Sequence, residues 1–371
     1  MTAATGDPTA PAPLDLSADV VTLTAAVCDI PSVSRDEARL ADAVEAALRA
    51  LPHLTVVRDG DAVVARTDLG RPERVVLAGH LDTVPLTDPP NLPVRREGDY
   101  LVGRGTTDMK GGVAVMLRLA ARLTDPVRDV TYVFYDGEEI ADTYNGLARL
   151  VRNTPELVRG DFAVLLEPSD GGIEGGCNGN ATVRVHTRGT ACHSARPWMG
   201  HNAIHDVAGV LDRIVAADVP DVEVDGLLYR QSLNAVAVHG GIADNVIPDH
   251  AVVTVNFRFA PRWDGARALR FLTEEVFGGL EVEVVDCAEG ARPGLHLPAA
   301  AEFVAALGLP VRAKQGWTDV SRFSALGIPA VNFGPGETEY AHRDDERCRV
   351  DQLVRAEDAL LAWLAGPGSR K

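Results

Sequence analysis

RVVLAGHLDT, residues 74–83, joins an apolar β-strand pattern to a histidine and an aspartate. Because successive side chains of a strand point to opposite faces, His80 and Asp82 would project together from the end of this strand. A carboxylate two residues further on can fix the tautomer of an imidazole that binds a divalent ion. An ordinary loop histidine beside an aspartate is the commoner explanation of such a stretch. A metal site is therefore predicted only if other ligands follow elsewhere in the chain.

Two further strand patterns end in acidic residues. Val130–Tyr135 leads directly into an Asp-Gly-Glu-Glu run that contains Glu138 and Glu139, and Phe162–Leu166 leads into Glu167. Adjacent acids are commonly solvated or favour a helix N-terminus, but at a strand-to-helix turn both can face one cavity, one as a metal ligand and one handling protons. Open α/β sheets carry their sites at the carboxyl ends of strands. We therefore predict an α/β domain with a metal site at this edge.

Asp108 and His342 are further candidate ligands with open interpretations. Asp108 lies in GRGTTDMKGG, just before the apolar segment Val113–Leu123, whose periodicity predicts a buried helix. Its carboxylate either ligates a cation beside a neighbouring strand end or merely caps the helix. The run has neither a Gly-Lys-Ser/Thr ending nor G-x-G-x-x-G spacing, which excludes a nucleotide phosphate loop. His342, in GPGETEYAHRDDE, has the same ambiguity as His80.

The composition is that of a globular enzyme with an acidic surface. The 371 residues suffice for two domains, and 36 Lys and Arg against 53 Asp and Glu give a formal charge of −17, without a basic stripe for nucleic acid. No apolar run reaches the ~18 residues that span a bilayer. Residues 1–14 have the composition of a flexible tail and not of a signal peptide, which predicts a cytoplasmic location. The cysteines form no Cys-x-x-Cys pair, so a metal must be held by histidines and carboxylates.

A second domain is predicted from about Gly179, where the pattern of strands and helices in the sequence changes. Its strand and helix patterns follow the order β-α-β-β-α-β of a small α+β domain. These patterns cover Ala181–Thr187, His201–Ala217, Ser232–His239, Val252–Phe259, Gly265–Phe277 and Leu280–Val285. We predict the first part of a catalytic domain over residues 15–178, an inserted domain over 179–292, and the second part of the catalytic domain over 293–371.

Several motifs in combination resemble those of the dinuclear zinc amidohydrolase and exopeptidase family. This family includes succinyl-diaminopimelate desuccinylases, acetylornithine deacetylases, aminoacylases and related carboxypeptidases. The motifs cover nearly the whole chain and are AGHLDTVP, GRGTTDMKGG, YDGEEI, LLEPSD, ACHSARP, DNVIPD with NFRF, and GPGETEYAH. HSARPWMGHNAIH and GWTDVSRFSALGIPAVNFGPG look most like the actinobacterial desuccinylase branch. The resemblance implies a zinc-exopeptidase-like catalytic domain, with a mixed sheet flanked by helices, and an inserted ferredoxin-like α+β domain for the lid and dimerisation.

The resemblance also implies a set of metal ligands at the predicted strand ends. Asp108 would bridge two zinc ions, with cobalt or another divalent ion as an alternative in one site. His80 and Glu167 would complete the protein ligands of one ion, and Glu139 and His342 those of the other.

Two further roles in catalysis follow from the same resemblance. Asp82 would orient the imidazole of His80 and raise its basicity. Glu138 would be the general base, taking a proton from the attacking water and returning it to the leaving amine. The family also tends to have a cis peptide after the bridging aspartate, which corresponds here to Asp108–Met109.

In the inserted domain, His193 matches a lid histidine that reaches the active site of the partner subunit and stabilises the developing oxyanion. A homodimer through the lid domain is thereby implied. Asn245 and Arg258 match positions near the substrate, and the planar fork of Arg258 suits a substrate carboxylate. Arg196 and Arg184 are further candidates for binding an anionic substrate.

The implied activity is metal-dependent hydrolysis of N-succinyl-LL-2,6-diaminopimelate to succinate and LL-2,6-diaminopimelate, a step of lysine and diaminopimelate biosynthesis. One alternative is another N-acyl-amino-acid deacylase or carboxypeptidase of the same family, such as an acetylornithine deacetylase. A second is a non-catalytic binding protein that retains the fold. The presence of every proposed ligand together with Glu138 argues against this second alternative.

Overall fold

The computed structural model describes residues 13–366, which form two compact units. The first comprises the described chain up to Gly175, together with Gly294–Arg312 and the residues from Arg322 onward. The second comprises Gly176–Pro293 and Ala313–Ser321. The predicted tail over residues 1–14 lies outside the described residues except for its last two positions.

Helices form mainly where apolar residues recur at helical spacing. Within residues 13–366 they are α1 (Val20–Cys28), α2 (Ala38–Arg49), α3 (Lys110–Arg122), α4 (Gly146–Asn153), α5 (Ala203–Ala216), α6 (Gly265–Arg270), α7 (Pro298–Leu307), α8 (Val320–Ala325) and α9 (Val350–Ala365). A π-helical turn, Phe271–Val276, continues α6. In this part of the chain, no helix combines the length and the apolar character needed to cross a membrane.

Strands cover the predicted strand patterns and several short segments that were not predicted. They are β1 (Thr55–Asp59), β2 (Ala62–Arg66), β3 (Arg74–His80), β4 (Arg95–Glu97), β5 (Tyr100–Val102), β6 (Asp129–Tyr135), β7 (Phe162–Leu165), β8 (Ile173–Gly175), β9 (Gly179–Arg188), β10 (Cys192–His193), β11 (Val222–Val224), β12 (Leu227–Tyr229), β13 (Ser232–Gly240), β14 (Val246–Ile247), β15 (His250–Phe259), β16 (Glu281–Ala288), β17 (Val311–Ala313), β18 (Ala330–Asn332) and β19 (Arg347–Arg349).

The large sheet is mixed and has the order β1-β2-β6-β3-β7-β18-β8-β17. Its central strands β6, β3, β7 and β18 run parallel, whereas β1 and β2 pair antiparallel at one side. His80 is in register with Tyr135, the last residue of β6, and Ala78 is in register with Leu165, the last residue of β7. The three predicted strand ends therefore meet at one edge of the sheet.

Helix α3 packs in the core of this unit, with most of its side chains buried. It begins at Lys110, three residues earlier than the predicted apolar segment. A Cβ atom on Gly112 would lie 2.3 Å from the carbonyl oxygen of Leu166, so glycine is required where the helix approaches the end of β7. This close approach brings the loop that carries Asp108 beside the segment that carries Glu167.

The second unit contains an antiparallel sheet of order β13-β15-β9-β16. With α5 and α6, its elements follow the predicted β-α-β-β-α-β order along the chain. Alternate residues of β9 and β15 are buried, and Val183, Val253 and Phe257 belong to the core of this unit. The short strands β10 and β14 form a separate pair, which places His193 opposite Val246.

Candidate metal centre

His80 is the last residue of β3, and its side chain is 1% exposed. Its Nδ1 atom lies 3.0 Å from the backbone carbonyl oxygen of Asp82, and its Nε2 atom lies 3.2 Å from Oδ1 of Asp108. The Nε2 atom is also 3.8 Å from Oε1 of Glu167. A carbonyl at Nδ1 leaves Nε2 as the nitrogen that faces the carboxylates, which is the arrangement that a metal-binding imidazole requires.

The carboxylate of Asp82 is fully buried and organises the turn after β6. Its two oxygens accept the backbone N–H groups of Glu138 and Glu139, each at 3.0 Å, and one of them also accepts the hydroxyl of Ser34 at 2.8 Å. The distance from Oδ1 of Asp82 to Nδ1 of His80 is 3.5 Å, longer than the contact of that nitrogen with the backbone carbonyl. The side chain of Asp82 therefore contacts the turn that carries the two glutamates as well as the imidazole of His80.

Asp108 presents one carboxylate oxygen to each of two imidazoles. Its Oδ1 atom lies 3.2 Å from Nε2 of His80, and its Oδ2 atom lies 3.3 Å from Nε2 of His342. The N-cap position of α3 is Met109, without a side-chain cap, so the alternative that Asp108 merely caps the helix is wrong. The Asp108–Met109 peptide is cis, as the resemblance implies.

His342 follows a short 3-10 turn, Thr338–Tyr340, and its side chain is 55% exposed. Its Nε2 atom lies 3.0 Å from the carboxylate of Glu139 as well as 3.3 Å from that of Asp108. Among residues 13–366, ligand atoms within 4.8 Å of one another define three groups that could hold a cation. The groups are His80 with Asp108 and Glu167, Asp108 with Glu139 and His342, and His80 with Glu138 and Glu139.

The electrostatics of these side chains follow from their mutual hydrogen bonds. Burial alone would lower the pKa of His80, but hydrogen bonds to Asp108 and Asp82 outweigh it and raise the pKa well above its usual value. Hydrogen bonds to Asp108 and Glu139 raise the pKa of His342 to about 10. Burial would raise the pKa of Asp108, yet hydrogen bonds from His342 and His80 hold it well below its usual value. A divalent ion that binds here must therefore displace protons from both imidazoles.

The predicted lid residues lie in the second unit. His193 is in β10, and the adjacent Ser194 donates its backbone N–H to the carbonyl of Asn245 at 2.9 Å, so His193 and Asn245 come close to each other. Nδ1 of His193 accepts the backbone N–H of Ala195 at 3.1 Å. A neutral imidazole in this arrangement carries its proton on Nε2 and can donate it in a hydrogen bond. Arg196 is exposed in the same loop.

Arg258 and Arg184 lie on adjacent strands of the four-stranded sheet. Arg258, in β15, is half-buried and donates Nε–H to Oδ1 of Asn256 at 3.2 Å. Burial lowers the pKa of its guanidinium. Arg184, in β9, is exposed and contacts Glu283 of β16 at 3.4 Å. Their predicted roles in substrate binding stay predictions.

The model of one protein family matches most of the chain. Residues 76–365 match the family described as "Peptidase family M20/M25/M40". The chain belongs to this family. The M20 membership confirms the resemblance that the motifs indicated in the sequence.

Two relatives of this M20 chain are similar over nearly their whole length. A protein named "Putative succinyl-diaminopimelate desuccinylase DapE", from Mycobacterium tuberculosis strain H37Rv, is 54% identical over 95% of this chain and 100% of its own length. The succinyl-diaminopimelate desuccinylase of Corynebacterium glutamicum is 45% identical over 95% of this chain and 98% of its own length. The closer resemblance to actinobacterial desuccinylases is thereby confirmed.

Two solved structures share the fold of this chain at low sequence identity. A tripeptidase of Staphylococcus aureus, SAV1512, has a TM-score of 0.78 at 21% identity, with 95% of this chain and 99% of that chain covered. The YXEP protein of Bacillus subtilis, described as a dinuclear metal binding peptidase, has a TM-score of 0.68 at 18% identity, with 92% and 95% covered. These likenesses confirm the predicted fold class.

Two residues of the M20 chain that contact the candidate centre were missed by the sequence reasoning. Glu346, which is buried, accepts the backbone N–H groups of Thr107 and Asp108 through Oε1, each at 3.0 Å. Its Oε2 atom accepts Nη1–H of Arg104 at 2.8 Å. Glu346 lies within an acidic run that resembles an ordinary solvated loop, so no local signal in the sequence marks it.

Proposed function

We propose that this chain is a metal-dependent amidohydrolase that converts N-succinyl-LL-2,6-diaminopimelate to succinate and LL-2,6-diaminopimelate, in lysine and diaminopimelate biosynthesis. The observation that carries the proposal is the 54% identity to the M. tuberculosis protein named as a desuccinylase, across 95% of this chain and all of that protein. Fold similarity alone would not select this substrate, because the tripeptidase SAV1512 shares the fold at only 21% identity. A cytoplasmic location is part of the same proposal.

The donor set supports a site for two divalent cations, which we propose to be zinc. Imidazole nitrogens and carboxylate oxygens without a thiolate suit zinc and related first-row ions. The carboxylate of Asp108 has one oxygen beside each imidazole, which supports a bridging role. His80 and Glu167 would hold one cation, and Glu139 and His342 the other. When bound, such cations supply Lewis acidity toward a substrate carbonyl oxygen.

Glu138 is the proposed general base. Its backbone N–H is fixed by Asp82, and its carboxylate has a ligand atom within 4.8 Å of one on His80 and one on Glu139. A glutamate in this place can take a proton from the attacking water and return it to the nitrogen of the leaving amine. Asp82 is proposed to orient His80, and through the turn that it organises it would also position Glu138 and Glu139.

His193 is the proposed donor, in the active site of the partner subunit, to the carbonyl oxygen on which negative charge develops. Its Nδ1 atom accepts a backbone N–H, which supports a proton on Nε2 and hence donation to an oxyanion. Arg258, Arg196 and Asn245 are proposed to bind the charged ends of the substrate. A guanidinium can hold a carboxylate through two parallel hydrogen bonds, which a dianionic succinyl substrate would use.

We also propose a homodimer formed through the second unit. β13 is one of the two outer strands of the four-stranded sheet, and an edge strand presents backbone groups that can pair with a second copy. Val236 and Val238 of this strand are 59% and 49% exposed. Val215 of α5 is 87% exposed. Apolar side chains exposed beside an open sheet edge support self-association.

A comparison of substrates tests the proposed function. Zinc-loaded protein should hydrolyse N-succinyl-LL-2,6-diaminopimelate with a kcat/KM at least about 100-fold above that for N-acetylornithine, since a site with charged groups for a carboxylate discriminates against its absence. A preference for the acetyl substrate would contradict the desuccinylase assignment. Absence of turnover together with absence of tightly held divalent ions would favour a non-catalytic binding protein.

A further inference from the structure

Arg104 and Glu346 form a buried ion pair next to the candidate metal centre. Nη1 of Arg104 lies 2.8 Å from Oε2 of Glu346, and their side chains are 4% and 1% exposed. Fully buried charges are rare unless they are paired, and a buried pair often contributes little net stability compared with apolar residues. The contacts of this pair therefore need an explanation other than stability alone.

The carboxylate of Glu346 holds the backbone of the proposed bridging residue. Oε1 accepts the N–H groups of Thr107 and Asp108, both at 3.0 Å, while Oε2 accepts from Arg104. Each carboxylate oxygen is thus engaged by the loop of residues 103–108. The backbone carbonyl of Glu346 also accepts the N–H of Gly103 at 2.9 Å.

The guanidinium of Arg104 extends the same contacts to the segment that carries His342. Nη1–H donates to the carbonyl of Arg343, the residue after His342, at 3.1 Å, and Nε–H donates to the carbonyl of Pro85 at 3.1 Å. The hydroxyl of Thr107 donates to the carbonyl of Arg347 at 2.6 Å. The loop of Asp108 and the segment of His342 are therefore joined on both sides of the ion pair.

We propose that Arg104 and Glu346 are positioning residues that hold Asp108 and His342 at the separation needed to share a cation. This inference rests on the proposed function, because it assumes that the centre binds two cations. We call the Arg104–Glu346 pair the clamp. The group of Asp108, Glu139 and His342 depends on the clamp more than the group of His80, Asp108 and Glu167 does. His80 ends β3 and Glu167 follows β7, so the sheet holds both, whereas His342 stands on an exposed turn.

Metal affinity is the readout that separates positioning from a structural role. Full-length Glu346→Gln keeps the shape of the side chain and loses its charge, leaving Arg104 without its carboxylate. We test this by isothermal titration of the metal-depleted protein with zinc chloride and by the absorption spectrum on titration with cobalt(II). Both should show that the cation held by Asp108, Glu139 and His342 binds about 10–100-fold more weakly than in the wild type. The affinity for the other cation should change less than about threefold.

Glu357→Gln is the matched control. Glu357 is also buried and also accepts from arginines, Arg118 at 3.0 Å and Arg122 at 2.8 Å, but these lie further along α3. The Glu357→Gln protein should have a lower melting temperature than the wild type and the same affinity for each of the two cations. If Glu346→Gln fails to fold, Arg104→Lys keeps the charge and loses the planar fork, and it should weaken the same cation.

The outcomes separate the two proposals. Wild-type protein that binds two cations while Glu346→Gln binds them equally well would overturn the clamp and leave the proposed function standing. Equal weakening by Glu346→Gln and Glu357→Gln would also overturn it, because both effects would then reflect general destabilisation. Wild-type protein that fails to bind two cations would overturn the proposed function and the clamp together.

Discussion

Glu138 and Glu139 are adjacent in the chain but have different neighbours. The carboxylate of Glu139 lies 3.0 Å from His342, whereas Glu138 contributes to the cation-binding groups only together with His80 and Glu139. A general base transfers a proton during the reaction but does not hold a cation. Glu138→Gln should therefore lower kcat by about 10²–10⁴-fold and leave the amount of bound metal unchanged. Steady-state kinetics with metal analysis on the same sample measure both.

Glu139→Gln is the comparison for that variant. Removing a ligand should lower the number of cations bound per chain, and the rate should fall as a consequence. Loss of metal in Glu138→Gln, or full metal content with a lost rate in Glu139→Gln, would show that the two roles are assigned to the wrong residues.

The candidate ligands that could be predicted from the sequence are those that lie directly at the end of a strand. His80, Glu139 and Glu167 follow apolar runs, so the alternation of the strand and the order of the sheet place them at one edge. Glu346 could not be predicted, because its contact with the backbone of Asp108 joins positions 238 residues apart. Nothing in its own neighbourhood distinguishes it from a solvated acid.

The close approach of α3 to the end of β7 makes a prediction about Gly112. Alanine favours a helix over glycine by about 1 kcal/mol, but its Cβ would lie 2.3 Å from the carbonyl oxygen of Leu166. We expect the clash to outweigh the propensity, so Gly112→Ala should destabilise the protein by about 1–3 kcal/mol and weaken cation binding. Thermal unfolding and zinc titration measure the two effects.

Gly209 provides the control within another helix. A Cβ added there meets nothing within 4 Å, so Gly209→Ala in α5 should raise the melting temperature slightly. Stabilisation by both substitutions would contradict the proposed steric requirement at Gly112. The apolar periodicity of the sequence predicts the helix over Val113–Leu123, whereas the structure begins it at Lys110, where the glycines pack closely against neighbouring segments.

Asp129, at the start of β6, links stability to pH. Its buried carboxylate accepts hydrogen bonds from the hydroxyl of Thr67 at 2.8 Å and the backbone N–H groups of Leu69 at 2.8 Å and Arg71 at 2.9 Å. Burial would raise the pKa of Asp129, but these hydrogen bonds outweigh it and lower the pKa. A carboxylate with a lowered pKa stabilises the fold above its unfolded-state pKa and loses that contribution as the pH falls through the folded value.

Asp129→Asn should therefore cost about 1–3 kcal/mol at neutral pH, because the amide nitrogen cannot accept a hydrogen bond. The difference from wild type should stay constant above about pH 5 and shrink as the pH falls below the ordinary aspartate pKa of about 3.8. Denaturant unfolding at several pH values measures this difference. Asp125→Asn, whose carboxylate is 80% exposed, serves as a control, and a difference for Asp129→Asn that grew in acid would contradict the expectation.

For the molecule as a whole, the order of helices and strands in the inserted domain could be predicted from the sequence. The compact unit to which residues 313–321 belong could not. The β-α-β-β-α-β order follows from alternating and helical patterns, and the central strands β9 and β15 of the four-stranded sheet bury alternate residues. Residues 313–321 lie with the second compact unit, whereas the sequence analysis includes them in the second part of the catalytic domain. The predicted domain boundaries at 178 and 292 stay predictions.

Oligomeric state is the prediction for the molecule as a whole. Charges placed on the edge strand β13 and on α5 would have to be desolvated on self-association, so Val238→Lys combined with Val215→Lys should convert the proposed dimer to a monomer. Light scattering coupled to size-exclusion chromatography measures the mass. Val354→Lys, on α9 and 41% exposed, should leave the mass unchanged. A dimer that persists in the double variant would place the interface elsewhere.

Asp108 is proposed to be shared by two cations, and anomalous diffraction at the zinc edge from crystals of zinc-loaded protein shows whether it contacts both. Two anomalous peaks should appear, one contacting His80 and Glu167, the other contacting Glu139 and His342, and both contacting Asp108. A single peak at full occupancy, or two peaks of which one does not contact Asp108, would contradict it.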